Sequence, residues 1–329
     1  MSNLLKPFKA GSLSLTNRLV MPPMATSNCP DGIVTQSILD YYKEKSQGGY
    51  ISLIIIEHSY IAKEGRASKN QISIADNRNQ DKLKEVADII HNNGSKAVMQ
   101  INHGGIQSDE EITGFPAVGP SAILNPKTNK VAHELTALEI QNIIKAFGAA
   151  AKRVKDAGFD GVEIHSAHGY LLNQFFSPLT NKRTDAYGGD VINRIKIHLE
   201  VIEEVRNAVG EDFPILLRLG ASDYTEGGST IDDSLVAAKE FEKAGIDILD
   251  ITGGLCGYKN PGVTVEGYFS PLTEAIKKVV NIPVILTGGI VTPKAAEELL
   301  ANGKADLIGV GRAIFTDSNW AKNAIESLK

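Results

Sequence analysis

The run Glu163-Ile164-His165-Ser166-Ala167-His168-Gly169-Tyr170 crowds two imidazoles and a phenol at the end of a short apolar segment. An imidazole donates a hydrogen bond in either protonation state, and a phenol can release a proton. Together they could grip and polarise one carbonyl oxygen and then protonate the carbon beside it. One such histidine would be read as a satisfied loop residue, but three proton-handling groups at this density point to a reaction site. A second feature is Arg218 inside Ile215-Leu216-Leu217-Arg218-Leu219. A guanidinium in an apolar run is costly unless an anion meets it, either a ligand's or a carboxylate of the protein such as Glu163. A third is the pair Thr287-Gly288-Gly289 and Gly309-Val310-Gly311-Arg312. Missing side chains expose backbone N–H groups, Arg312 adds a bidentate phosphate donor, and Thr292-Pro293 opens a helix whose N-terminus favours an anion.

The elements that must position these groups alternate along the whole chain. Short Val/Ile/Leu-rich runs at 18–24, 51–57, 96–101, 161–165, 214–219, 246–251, 283–287 and 306–310 read as parallel strands buried on both faces. Amphipathic segments lie between them at 80–92, 138–157, 191–209 and 234–244, and from Thr292 onward. Eight such units predict a single-domain (β/α)₈ TIM barrel over 1–329, with chemistry at the C-terminal ends of the strands. A doubly wound sheet is disfavoured because no GxGxxG turn follows a strand. Two connections exceed what a link requires. Residues 102–135 carry Gly and Pro punctuation suited to a hairpin or lid, and 165–190 is rich enough in Phe, Leu and Tyr to pack in order.

Composition narrows the partners. The chain has 329 residues, 42% of them hydrophobic, and a net charge of −5 with no basic run, so neither nucleic acid nor an anionic membrane is expected. The apolar run 51–56 is too short to span a bilayer, and the first residues lack a signal-peptide core. A cytoplasmic location with Cys29 and Cys256 as thiols is therefore expected. Two cysteines cannot ligate a four-cysteine cluster, and no metal site is expected.

At these residues the chain resembles the old yellow enzyme family of FMN-dependent ene-reductases. The most specific stretch runs from His165-Ser-Ala-His-Gly-Tyr-Leu-Leu-Asn-Gln-Phe-Phe-Ser-Pro-Leu to Gly189, similar to the branch of bacterial ene-reductases, 2-enoate reductases and dienoyl-CoA reductases. The resemblance implies FMN against Pro22, Pro23, Met24 and Ala25, with Gln100 on its pyrimidine edge and Arg218 beside its N1/O2 side. It implies Gly289, Gly311 and Arg312 at the phosphate and His58 at a further flavin contact. His165 and His168 would hold the substrate oxygen, Ser27 would border the substrate, and Tyr170 would be the proton donor.

The implied reaction is ping-pong hydride transfer from NADH or NADPH, through FMN, to the β-carbon of a small α,β-unsaturated carbonyl compound. Ala25 departs from the cysteine or threonine that many relatives carry there, and Ser27 from a tyrosine, which implies a roomier pocket. No cysteine cluster follows before Lys329, so cluster-mediated electron delivery is expected only through a partner. A homo-oligomer is compatible with the chain. Two other readings remain: an amine or alcohol dehydrogenase of the same fold, against which Tyr170 argues, and a flavin-binding barrel without turnover, which Ala25 keeps open.

Overall fold

The computed structural model describes residues 2–125 and 128–329. Eight parallel strands close into a barrel: β1 (Leu19–Met21), β2 (Leu53–Tyr60), β3 (Lys96–Asn102), β4 (Gly161–Ser166), β5 (Ile215–Gly220), β6 (Ile248–Thr252), β7 (Val284–Thr287) and β8 (Leu307–Gly309), with β8 pairing back to β1. The (β/α)₈ expectation holds, with boundaries moved by up to three residues. The first strand stops at Met21 because Pro22 and Pro23 have no N–H to give the ladder. The second runs on to Tyr60, with a register shift between Ile56 and Ser59.

Outside the strands lie α1 (Gln36–Ser46), α2 (Gln80–Asn92), α3 (Ala137–Asp156), α4 (Val191–Val209), α5 (Ile231–Lys243), α6 (Ser270–Lys277), α7 (Pro293–Ala301) and α8 (Trp320–Ser327). Their starts follow capping chemistry. Thr136 with Glu139, and Thr230 with Asp233, form capping boxes, and Asp190 accepts from Asn193 N. The Thr230 cap explains why α5 begins nearly a turn before the expected 234. Each helix buries one stripe against the sheet, as with Leu83, Val86, Ala87 and Ile90 of α2. None is long and apolar enough to cross a membrane among the described residues.

The barrel interior changes character along its axis. At the N-terminal end Val20, Leu53, Ile55, Val98, Leu216, Ile248, Ile285 and Leu307 form one apolar layer. The hairpin Phe8–Ala10/Leu13–Leu15 seals it from below through Ala10, Leu13 and Leu15. Side chains two residues further along a strand point to the same face. The next layer up is therefore Gln100, Glu163, Arg218, Asp250, Thr287 and Gly309. Apolar floor and polar mouth follow from one alternation.

The segment after β3 contains the antiparallel pair Leu124–Asn125/Lys130–Val131 and the pair Val118–Gly119/His133–Glu134. Pro126 and Lys127, inside the expected 102–135 insertion, lie outside the described residues. None of its described residues lines the cavity discussed below. Instead Gln107 Nε2 donates to the His168 carbonyl at 2.8 Å, bracing the loop after β4.

Candidate active site

At the C-terminal mouth of the barrel a cavity of about 460 Å³ is bordered by side chains from every strand end. That volume suits a small organic ligand or cofactor. Pro22, Pro23, Met24 and Ala25 form one wall, and Gln100 and Arg218 reach it from the polar layer. Gly289, Gly311 and Arg312 lie along the β7–β8 side, and His58, His165, His168 and Tyr170 close the other. Ser27 is the exception among the expected residues. It is exposed, has φ 56°, and does not line the cavity, because the chain turns outward after Ala25. His58 sits within β2 rather than after it.

Cross-strand register assembles the polar layer. His165 pairs with Arg218, Arg218 with Asp250, and Glu163 with Gln100. Arg218 Nε lies 3.1 Å from Asp250 Oδ2, an ion-pair distance without hydrogen-bond alignment. The internal counter-ion is thus Asp250, not the expected Glu163. Glu163 instead accepts from Gln100 Nε2 at 2.7 Å, which commits one N–H of Gln100 and leaves its carbonyl oxygen and second N–H for a ligand. Glu163 and Asp250 are fully buried and close enough to disfavour double ionisation. Burial first, and then the Asp250 charge, raises the Glu163 carboxyl above its ordinary value, and burial raises that of Asp250.

The histidine and tyrosine rings form one cluster. His165 lies 5.2 Å from His168 and 5.1 Å from Tyr170, both edge-on. His168 adopts φ 58°, a left-handed conformation uncommon for a residue with a side chain, and its Nε2 lies 3.0 Å from Thr252 Oγ1. Local strain of this kind persists only where surroundings enforce it, here through Gln107 on its carbonyl and Asn173 on the Gly169 N–H. Burial, followed by neighbouring positive or histidine groups, holds both imidazoles well below their usual range, so they are neutral donors. Burial pushes the Tyr170 phenol up to about 12, so it keeps its proton.

The glycines have two kinds of cause. A Cβ on Gly289 would come 2.3 Å from the Tyr268 ring at φ +65°, so internal packing alone requires glycine there. A Cβ on Gly311 would crowd Met24 Sδ at 2.8 Å on the cavity wall. The anion site expected at the start of α7 is already filled from within. Glu266 accepts from Val291 N at 2.6 Å, Thr292 N at 2.7 Å and the Thr292 hydroxyl at 2.9 Å. A second anion there would meet a carboxylate, whereas Arg312 and Gly289/Gly311 border the cavity itself. Glu266→Gln should therefore lower stability by about 1 kcal/mol in urea unfolding without weakening binding of the FMN that the resemblance implies, whereas Arg312→Ala should weaken that binding at least tenfold in a fluorescence titration.

Several lining residues escaped the sequence reading: Thr252, Tyr258, Tyr268 and Phe315. Thr252 continues the alternation Ile248, Asp250. The length of the connection 253–269, with its glycines and two tyrosines, was a signal comparable to the two loops that were singled out. Tyr268 donates its hydroxyl to the Tyr258 carbonyl at 2.7 Å and receives Arg312 Nη2 at 3.4 Å, tying that loop to the anion side.

One carboxylate beneath Ala25 makes a pH prediction. Glu57 accepts from Thr26 N at 2.9 Å and Thr26 Oγ1 at 2.7 Å, yet burial outweighs these bonds and raises it to about 7. Folded protein thus holds this proton more tightly than unfolded chain. The stabilisation is complete below about pH 4.5 and is lost as pH rises through 7, on the order of 3 kcal/mol. Urea unfolding of Glu57→Gln across pH 5–8 should lack this decline.

The residues fit FMN on independent grounds. The cavity carries a glycine cradle beside Arg312, a buried His165 Nδ1 with no partner among the described residues and an unaligned Arg218 Nε. A family model described as the NADH:flavin oxidoreductase / NADH oxidase family matches residues 3–329. The chain is 41% identical to an NADH oxidase of Thermoanaerobacter brockii over 98% of its own length and 51% of that protein. It is 38% identical to an NADPH dehydrogenase of Halalkalibacterium halodurans over 95% of its length and 90% of that relative. The chain thus spans about half the length of the first relative and nearly all of the second. Among solved structures, 2-naphthoyl-CoA reductase with 2-naphthoyl-CoA superposes at TM-score 0.93 with 29% identity, covering 99% of this chain and 52% of that one. The old yellow enzyme homologue from Zymomonas mobilis superposes at 0.87 with 27% identity, covering 99% and 93%. A closed barrel, a mouth built for a phosphorylated flavin and a match along nearly every residue lead to one assignment: the chain belongs to the NADH:flavin oxidoreductase / NADH oxidase family, of old yellow enzyme type.

Proposed function

We propose that this barrel reduces the activated C=C bond of small α,β-unsaturated carbonyl compounds at the expense of NADH or NADPH. The observation that carries the reading is the cluster of His165, His168 and Tyr170 around one cavity, two neutral donors beside a protonated phenol. Pro22 to Ala25, Gln100, Arg218, Gly289, Gly311 and Arg312 would hold FMN, which when bound accepts two electrons from the nicotinamide and supplies hydride to the substrate. Arg218 offsets negative charge at the floor of the site. His165 and His168 donate to the substrate oxygen and gain strength as it becomes an enolate, because donors fixed in a dry site need no reorganisation. Tyr170 gives its proton to the α-carbon as general acid. Amine or alcohol oxidation needs a base where this site holds a phenol pushed up to about 12. Anaerobic mixing tests the reading. NADPH or NADH should bleach bound FMN, and 2-cyclohexenone should restore its colour. Bleaching without recovery by any enone would favour a barrel that stores electrons, and protein that takes up no FMN would end the proposal.

A further inference from the structure

His58 lies within the stretch where β2 shifts register against β3, between Ile56 and Ser59, and its ring borders the cavity. Its Nδ1 faces two side-chain amides, Gln71 Nε2 at 3.1 Å and Asn102 Nδ2 at 3.2 Å. The Gln71 amide is oriented independently of the ring. Its Nε2 also donates to the His58 carbonyl at 3.2 Å, while its Oε1 accepts from Ala67 N at 2.7 Å. Gln71 therefore presents an N–H to Nδ1, which must act as acceptor, and the ring proton belongs on Nε2. Protonating Nδ1 would set one N–H against two others. The charged or titratable groups that meet the ring are Arg218 on β5, His165 on β4, and His168 and Tyr170 on the loop after β4, and among the described residues the charge acting on it is that of Arg218. Burial, followed by the Arg218 charge, holds His58 down to about 4.

The same ring backs Tyr170, with centroids 5.2 Å apart and planes 29° from parallel. Tyr170's other aromatic neighbour is the His165 ring, edge-on. The phenol oxygen has no protein hydrogen-bond partner among the described residues, so packing between two imidazoles sets its direction. A cation stacked there would stabilise phenolate and lower the phenol from its raised value.

We propose that Gln71 and Asn102 form an amide clamp that makes His58 a positioning residue for Tyr170, a neutral imidazole that braces the phenol without drawing off its proton. The inference rests on the reading of Tyr170 as proton donor. Long-range ¹H–¹⁵N spectra of histidine-labelled holoenzyme, with His58 assigned through His58→Gln, should show an Nε2–H ring that does not titrate between pH 5 and 9. An Nδ1–H ring, or a His58 that becomes protonated within that range, overturns the clamp. Gln71→Glu replaces a donor by an acceptor outside the cavity, and His58 should then titrate near or above pH 7. With it, enone-driven reoxidation should acquire a pH dependence centred on the His58 titration, which the parent lacks, because the ring stacked on the phenol then changes charge. A charged His58 in Gln71→Glu with an unmoved pH profile overturns the link to Tyr170. His58→Ala should lower kcat about tenfold with little change in KM, as expected of lost alignment rather than lost binding. If the protein takes up no FMN, the proton-donor reading fails separately, and the same spectra on the FMN-free chain still decide the clamp.

Discussion

Replacing Tyr170 with Phe should slow enone-driven reoxidation of the reduced protein by about 10²–10⁴-fold while leaving its reduction by NADPH unchanged. The substitution keeps the ring between His58 and His165 and removes only the hydroxyl, so the loop after β4 has no reason to move. Because that oxygen makes no protein hydrogen bond among the described residues, its loss leaves no buried partner orphaned. Folding stability should stay within about 0.5 kcal/mol of the parent. Stopped-flow absorbance separates the two half-reactions in one instrument. Reoxidation at the parental rate would assign the proton to solvent. In the parent protein the rate should be flat from neutral pH to about 10, since the phenol is pushed up to about 12.

The second large effect concerns stability. Arg218→Met should destabilise the folded protein by roughly 3–5 kcal/mol, read from urea unfolding at pH 8. Arg218 is 4% exposed, lies 3.1 Å from the fully buried Asp250, and is the cation whose charge also lowers the fully buried Glu163 carboxyl. Its removal leaves two carboxyl groups with neutral donors, the Gln100 amide and the Thr287 hydroxyl, in place of a cation. Both are already raised by burial, and loss of the arginine raises them further. Each is then bound to its proton more tightly in the folded state than in the unfolded chain. The variant's stability should therefore be nearly complete at low pH and decline more steeply than the parent's as pH rises through the raised values. Removing the partner as well, in Arg218→Met/Asp250→Leu, should restore much of the loss, because a buried pair is worth less than its broken half costs. Equal stability of single and double variants would mean that an unpaired Asp250 is not the source of the loss.

These two effects arise at different depths of one barrel, and the difference explains the design of the mouth. The apolar layer around Val98, Leu216 and Ile248 holds the closed sheet together. One side-chain layer above it, burial raises the Glu163 and Asp250 carboxyls and makes the Arg218 guanidinium costly to lose. One layer above that, the rings of His58, His165, His168 and Tyr170 meet the cavity. Function therefore sits where polar groups are dry enough to be tuned and open enough to be reached.

Much of this was determined by order along the chain. Short Val/Ile/Leu-rich runs at the eight strands, capping residues before the helices and proline at 22 and 23 set the barrel and most element ends, because these signals act over a few residues. The chemistry-bearing motif His165 to Tyr170 was equally local, and so was the glycine-arginine pairing at 311–312. Tertiary structure decided what depended on neighbours far apart in sequence. Asp250 rather than Glu163 faces Arg218 because parallel register sets β5 against β6. Glu266 fills the start of α7 because the loop after β6 folds back onto it, so a helix terminus that looked open for phosphate is closed. Ser27 leaves the cavity because the backbone turns to positive φ past Ala25. The tautomer of His58 depends on Gln71 and Asn102, which reach it from other segments. Composition along one strand says which groups are polar, but only the closed barrel determines which two of them share a dry space.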